Sequence, residues 1–157
     1  IYEWFPNPIF SIFFPVNESI WEHMKMLYTT ILLYGIIEYF IMRKFDIDNH
    51  NFLLTIFLKA FGSIPIYLII FLPLYYTFGE NMFISISVML ITIILVNLIG
   101  IKMLQAKEIK YQNIIGITLI ILTYIVMGYL TYKTPRLELF FDTNEEKYGI
   151  NDYLIKD

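Results

Sequence analysis

The chain has 157 residues, of which 58% are hydrophobic and only 16% charged, with a formal net charge of −3 and no cysteine. Its mean hydropathy of +0.64 belongs with chains dissolved in lipid, since ordinary soluble domains are roughly 45–50% apolar. Disulfides, thiolate metal sites and cysteine nucleophiles are excluded, and without a basic stretch or a Gly-rich phosphate loop there is no support for nucleic acid or nucleotides as partners.

In chain order, the opening IYEWFPNPIF lacks the basic n-region and small-residue cleavage site of a secretory signal. It reads as the exit from an earlier element, and the start at Ile1 rather than methionine is compatible with a segment upstream.

Next comes PVNESIWEH, Pro15 to His23, where polar residues crowd just ahead of an apolar run. Ser19 and Glu22 match the capping box S-x-x-E, in which the serine bonds a first-turn amide and the glutamate reaches back to the cap amide. Asn17 is an alternative cap, the helix dipole favours Glu18 and Glu22 in a first turn, and Trp21 reads as an interfacial anchor. The same stretch also carries a chemical reading. Glu18, Glu22 and His23 offer two carboxylates and an imidazole within about one and a half turns, a set suited to holding a divalent metal or polarising a water. Their spacing is not that of the H-E-x-x-H signature. Asn17, Glu18, Glu22 and His23 form the candidate binding site, and the last three are the candidate metal ligands.

The apolar blocks follow. Met26 to Met42 is interrupted only by Glu38, and the uncharged windows Ala60–Gly79, Asn81–Ile101 and Tyr111–Tyr132 hold 20, 21 and 22 residues. Each of the three can cross about 30 Å of hydrocarbon. Spans are expected at 24–42, 54–78, 82–101 and 112–132. They must be helices, because backbone groups in lipid need internal partners and the alternation of a β-barrel is absent. Pro65 and Pro73 predict a bend in the second.

Arg43 and Lys44 follow the first span, Lys102, Lys107 and Lys110 follow the third, and the linker between the second and third carries only Glu80. The positive-inside rule puts the first and third linkers in the cytoplasm, and residues 1–23 and 133–157 on the outer face of the cell membrane. Lys25, Lys133 and Arg136 count against that orientation. His23 and His50 lie at opposite ends of the first span, separated by about 30 Å if it crosses, so they cannot share a metal. His50, in the run DIDNHN, reads as an ordinary linker residue. Any outer site would draw further carboxylates from Glu3, Asp142, Glu145 or Glu146.

Within the spans, Glu38 and Lys59 each lie about 7 Å from the expected cytoplasmic end at 1.5 Å per residue, which permits an ion pair. Asn97 and Thr118 fall in the same layer. Ionisable groups in a span are functional candidates because stranding them in lipid is costly. The alternative is that Lys59 snorkels while Glu38 pairs with Arg43 or Lys44. Glu38, Lys59 and Asn97 join the candidate binding residues. Most of the tyrosines along the spans read as interface belt or helix packing.

The tail TPRLELFFDTNEEKYGINDYLIKD begins with a proline stop and passes through RLELFF, whose alternation suits a strand. It is expected to fold back over the outer face. Asp142-Thr-Asn144-Glu-Glu146 resembles the start of a calcium loop, but Lys147 and Tyr153 stand where an EF-hand requires glycine and glutamate. A solvated turn is the expected form.

PVNESIWEH, together with an FFD…YGI tail after the last span, resembles an uncharacterised family of small bacterial multi-pass membrane proteins across nearly the whole chain. The resemblance implies one more apolar span ahead of the motif, five in all starting inside, and brings no activity. The expected fold is an all-α polytopic transmembrane helix bundle, residues 1–157 forming one membrane domain. The expected function is a binding, transport or accessory membrane component with its polar site at the outer lip. The alternative is a membrane-embedded hydrolase using a metal or carboxylate among Glu18, Glu22 and His23. A third possibility is a pure scaffold, with every such group capped or paired. Partners are the lipid bilayer and a membrane protein or second copy of the chain.

Overall fold

A computed structural model describes residues 4–47, 50–79 and 81–150. Glu3, Glu80 and the tail beyond Ile150 lie outside the described residues. The chain is all-α: α1 (Pro8–Phe13), α2 (Ile20–Lys44), α3 (Phe52–Phe78), α4 (Met82–Leu104) and α5 (Gln112–Tyr132) precede a 3-10 turn at Glu138–Phe140 and the strands β1 (Phe141–Asp142) and β2 (Lys147–Tyr148). α2 to α5 are long and apolar enough to cross a membrane. The described residues gather into two compact units, one from residues 4–29 with 120–150 and the other within residues 30–119.

Asparagines punctuate these elements. Asn7 caps α1 by accepting from the Phe10 amide at 2.9 Å, with Pro8 at the first helical position, where a missing N–H costs nothing. Asn81 caps α4 by accepting from the Phe83 and Ile84 amides. Asn51, just before α3, is left-handed at φ 60°, and its buried side chain ties down the loop after α4. It accepts from Ile109 N at 2.8 Å and donates to the carbonyls of Ala106 and Lys107.

In the unit formed by residues 30–119, α3 packs along α4. α3 runs through Pro65 and Pro73 without interruption. Ser63, Tyr67 and Phe71 of α3 and Val88, Thr92 and Val96 of α4 are buried. Ser63 and Thr92 donate to carbonyls of their own helices, Ala60 and Val88, so these buried hydroxyls need no partner across the interface. α5 also comes very close to α3: a Cβ on Gly116 would lie 2.6 Å from the Leu53 carbonyl carbon. Only glycine permits that approach.

Little of the apolar surface is used up. Only 28% of the apolar window of α4 and 22% of that of α5 is buried, leaving rows such as Ile91, Ile94 and Leu98 on α4 exposed. Patches of this size need lipid or a partner to cover them.

The other unit contains α1, the start of α2, the end of α5 and the tail. α1 is an element the sequence reading did not expect. α2 begins at Ile20, ahead of the expected residue 24. RLELFF is not one strand: Phe140 N–H bonds back to the Leu137 carbonyl at 2.9 Å, and the turn brings the Phe140 ring to 4.9 Å from Trp21. β1 and β2 then pair antiparallel, with Phe141 opposite Tyr148 and Asp142 opposite Lys147. Trp21 is correspondingly half-buried against the tail, where the sequence suggested an interfacial anchor.

Candidate functional site at the start of α2

Ser19 is the helix cap. Its carbonyl accepts from His23 N at 3.1 Å and its hydroxyl from Glu22 N at 3.4 Å, while its own N–H donates to Asn17 Oδ1 at 3.0 Å. The capping box is therefore half made. Asn17 holds the amide that Glu22 was expected to take, and the Glu22 carboxylate turns inward.

There Glu22 Oε2 accepts from Val16 N at 3.1 Å and lies 2.6 Å from Lys25 Nζ. Lys25 also donates to the Ser11 carbonyl at 2.8 Å and to Thr131 Oγ1 at 3.1 Å. Glu22 is 2% exposed and Lys25 0%. A buried charge persists only when paired and bonded, and the three partners of Lys25 match the three protons of an ammonium. Lys25, read from the sequence as a charge on the outer face, is thus an internal ligand for α1, α2 and α5. Its signal was the Glu22–Lys25 spacing of three, which places the two on one helix face. Ser11 and Thr131, 14 and 106 residues from Lys25, carry no such local signal.

Glu18 has the opposite character. Its side chain is 63% exposed, and Oε2 lies 3.3 Å from His23 Nε2. The hydrogen bond with His23 holds the Glu18 carboxyl below its ordinary pKa, against burial, and the nearby Asp142 charge also raises it. The Glu18 amide donates to Asp142 Oδ2 at 3.0 Å. Asp142 is buried and its other oxygen accepts from Asn144 N and Glu145 N, so it organises the turn between β1 and β2 and fastens that turn to the start of α2.

The structure thus brings Glu18 to His23 and sends Glu22 to Lys25. Among the described residues, no three His, Asp or Glu side chains are grouped to hold a metal ion. Glu145 and Glu146 are exposed in the turn.

In the other unit, Lys59 Nζ lies 2.7 Å from Glu38 Oε2 and 6.0 Å from the centre of the Tyr34 ring. Lys59 is 3% exposed. Its stem passes over Gly100, where an added Cβ would lie 2.4 Å from Lys59 Cδ. The other candidates of that layer are placed differently: Asn97 Nδ2 donates to the Ile93 carbonyl of its own helix at 2.8 Å, and Thr118 is exposed. His50 is exposed in its linker.

Residues 1–150 match the model described as Family of unknown function (DUF6512). No curated protein and no solved structure matches the chain.

Proposed function

The chain belongs to that family of unknown function, and from this premise we propose that it is a multi-pass accessory component of the cell membrane that binds a partner through the Glu18–His23 surface. One observation carries the reading. Ser19, Glu22 and Lys25 are engaged in holding the fold, whereas Glu18 is exposed and steadied by His23 on its side chain and by Asp142 on its backbone. A fixed, exposed carboxylate suits a cationic group, such as an arginine or lysine on a membrane partner or second copy, or a divalent ion that also takes the His23 imidazole. With the lip outside, as the positive-inside rule has it, the partner approaches from the outer face.

The hydrolase reading has less support. It requires Glu18, Glu22 and His23 within about 3–4 Å of one point, whereas the Glu22 carboxylate is neutralised by Lys25 and Ser19 is occupied as a cap.

The test is site-specific photo-crosslinking in native membranes, with benzoylphenylalanine replacing the exposed Glu145, in the turn that Asp142 fastens to the Glu18 amide, in one variant and the lipid-face residue Ile91 in another. A discrete protein adduct at position 145 that weakens with Glu18→Gln and with His23→Ala supports the reading. Lipid adducts alone at position 145 overturn it, and hydrolytic turnover abolished by Glu22→Gln transfers the function to the enzyme alternative.

A further inference from the structure

Trp4 to Asn17 is a run of fourteen uncharged residues. An apolar stretch of that length is too short to span a bilayer as a helix, and suits a buried core helix or a re-entrant or interfacial segment. Its contacts decide between these. Ser11 Oγ lies 2.8 Å from Tyr132 OH, at the last residue of α5. One residue on, Ile12 packs beside Gly128, where a Cβ would lie 3.4 Å from Ile12 Cγ1. At Phe13 the carbonyl accepts from Thr29 Oγ1 at 2.8 Å and the ring centre lies 4.7 Å from that of Tyr124.

Thr29 is nine residues into α2 and Tyr124 is eight residues before the end of α5, so Phe13 sits beside points about 12–14 Å along both helices from their ends, at 1.5 Å per residue. The chain then returns. Val16 N donates to Glu22, in the first turn of α2, and Ser19 caps that helix. Ser11 to Ser19 therefore descends along two apolar helices and climbs back to the end where it entered. Ile9 and Phe5 stay exposed on its outer side.

We propose that residues 6–18 are a re-entrant segment inserted into the lipid layer from the side where α2 begins, touching lipid through Ile9 and its tip at Phe14. Non-helical backbone survives at membrane depth only where protein groups satisfy it, and those groups are present. The final turn of a helix leaves its carbonyls without intrahelical partners. Lys25 takes that of Ser11, and Thr29, itself bonded by Tyr124 OH at 3.1 Å, takes that of Phe13. Glu22 receives the returning Val16 amide. The buried ion pair is in this light the neck of the segment, Lys25 holding the descending arm and Glu22 the ascending one.

This inference rests on α2 and α5 crossing the membrane, and the absence of cysteine makes both claims testable in the full chain. Single variants Pro6→Cys, Phe14→Cys, Glu18→Cys and Leu122→Cys, the last on the exposed face midway along α5, are reconstituted in sealed vesicles and treated with an impermeant maleimide or labelled with bimane. Pro6→Cys and Glu18→Cys should react from the same side, and the bimane on Phe14→Cys and Leu122→Cys should lose emission to lipids brominated along the acyl chain rather than to iodide. Reaction of Pro6→Cys and Glu18→Cys from opposite sides overturns the proposal, because the segment then crosses. Iodide quenching at Phe14→Cys with lipid quenching at Leu122→Cys overturns it while leaving the span intact, whereas iodide quenching at Leu122→Cys removes the crossing of α5 and the re-entrant segment together.

Discussion

Lys25 and Glu22, three residues apart on α2, form a 2.6 Å ion pair from which water is excluded on every side. Removing one member leaves the other charge buried alone. Lys25→Met should therefore cost about 3–5 kcal/mol, and Glu22→Gln combined with Lys25→Met much less than the sum of the two single changes. Thermal unfolding in detergent of the two single variants and the double variant measures the coupling directly.

Gly116 and Gly62 make a matched pair of tests on helices of similar composition. A Cβ at Gly116 meets the Leu53 and Leu54 backbone at 2.6–2.8 Å, whereas at Gly62 it meets nothing within 4 Å. Gly116→Ala should destabilise by about 1–3 kcal/mol because backbone cannot step aside. Gly62→Ala should be neutral or stabilising by up to about 1 kcal/mol through helix propensity. Denaturant titration of both variants in the same detergent should rank them in that order.

Asp142 accepts from three backbone amides, those of Glu18, Asn144 and Glu145. Asp142→Ala leaves them without that acceptor and should cost about 2–4 kcal/mol, while Asp142→Asn keeps one oxygen and should cost less. The loss should appear as faster proteolysis between residues 143 and 147, and as a shift in Trp21 emission as Phe140 departs.

The Glu18 carboxyl has its pKa lowered from 4.5 in the folded chain, chiefly by the His23 hydrogen bond. A lowered folded pKa means that this contribution is present above pH 4.5 and is lost as the pH falls through the folded value. Stability should decline on that acid limb in the parent chain, and this component of the decline should be missing in Glu18→Gln. Unfolding measured from pH 6 downward in both chains gives the comparison.

Three of the four long helices were legible because uncharged windows of twenty or more residues leave a chain few alternatives, and α2 was legible from the shorter apolar run Met26–Met42, interrupted only by Glu38. The pairing of Glu38 with Lys59 was open to reading from their matching depth, though nothing in the sequence revealed the gap over Gly100 that lets the lysine stem pass. PVNESIWEH was recognised as a helix start, yet the direction of Glu22 was not. The capping box and the inward pair compete for one carboxylate, and the outcome depends on Ser11 and Thr131, 14 and 106 residues away from Lys25. α1 escaped notice because six residues are too few for a periodic signal.

Thr131 meets Lys25 across 106 residues of chain, and its carbonyl accepts from Ile150 N. During synthesis from the N-terminus, the lysine leaves the ribosome long before this threonine exists. Its carboxylate neighbour, only three positions away, is available from the outset and accompanies the cation through that interval. The last helix therefore arrives at a charge already neutralised, and its docking becomes the step that closes the neck and seats the tail.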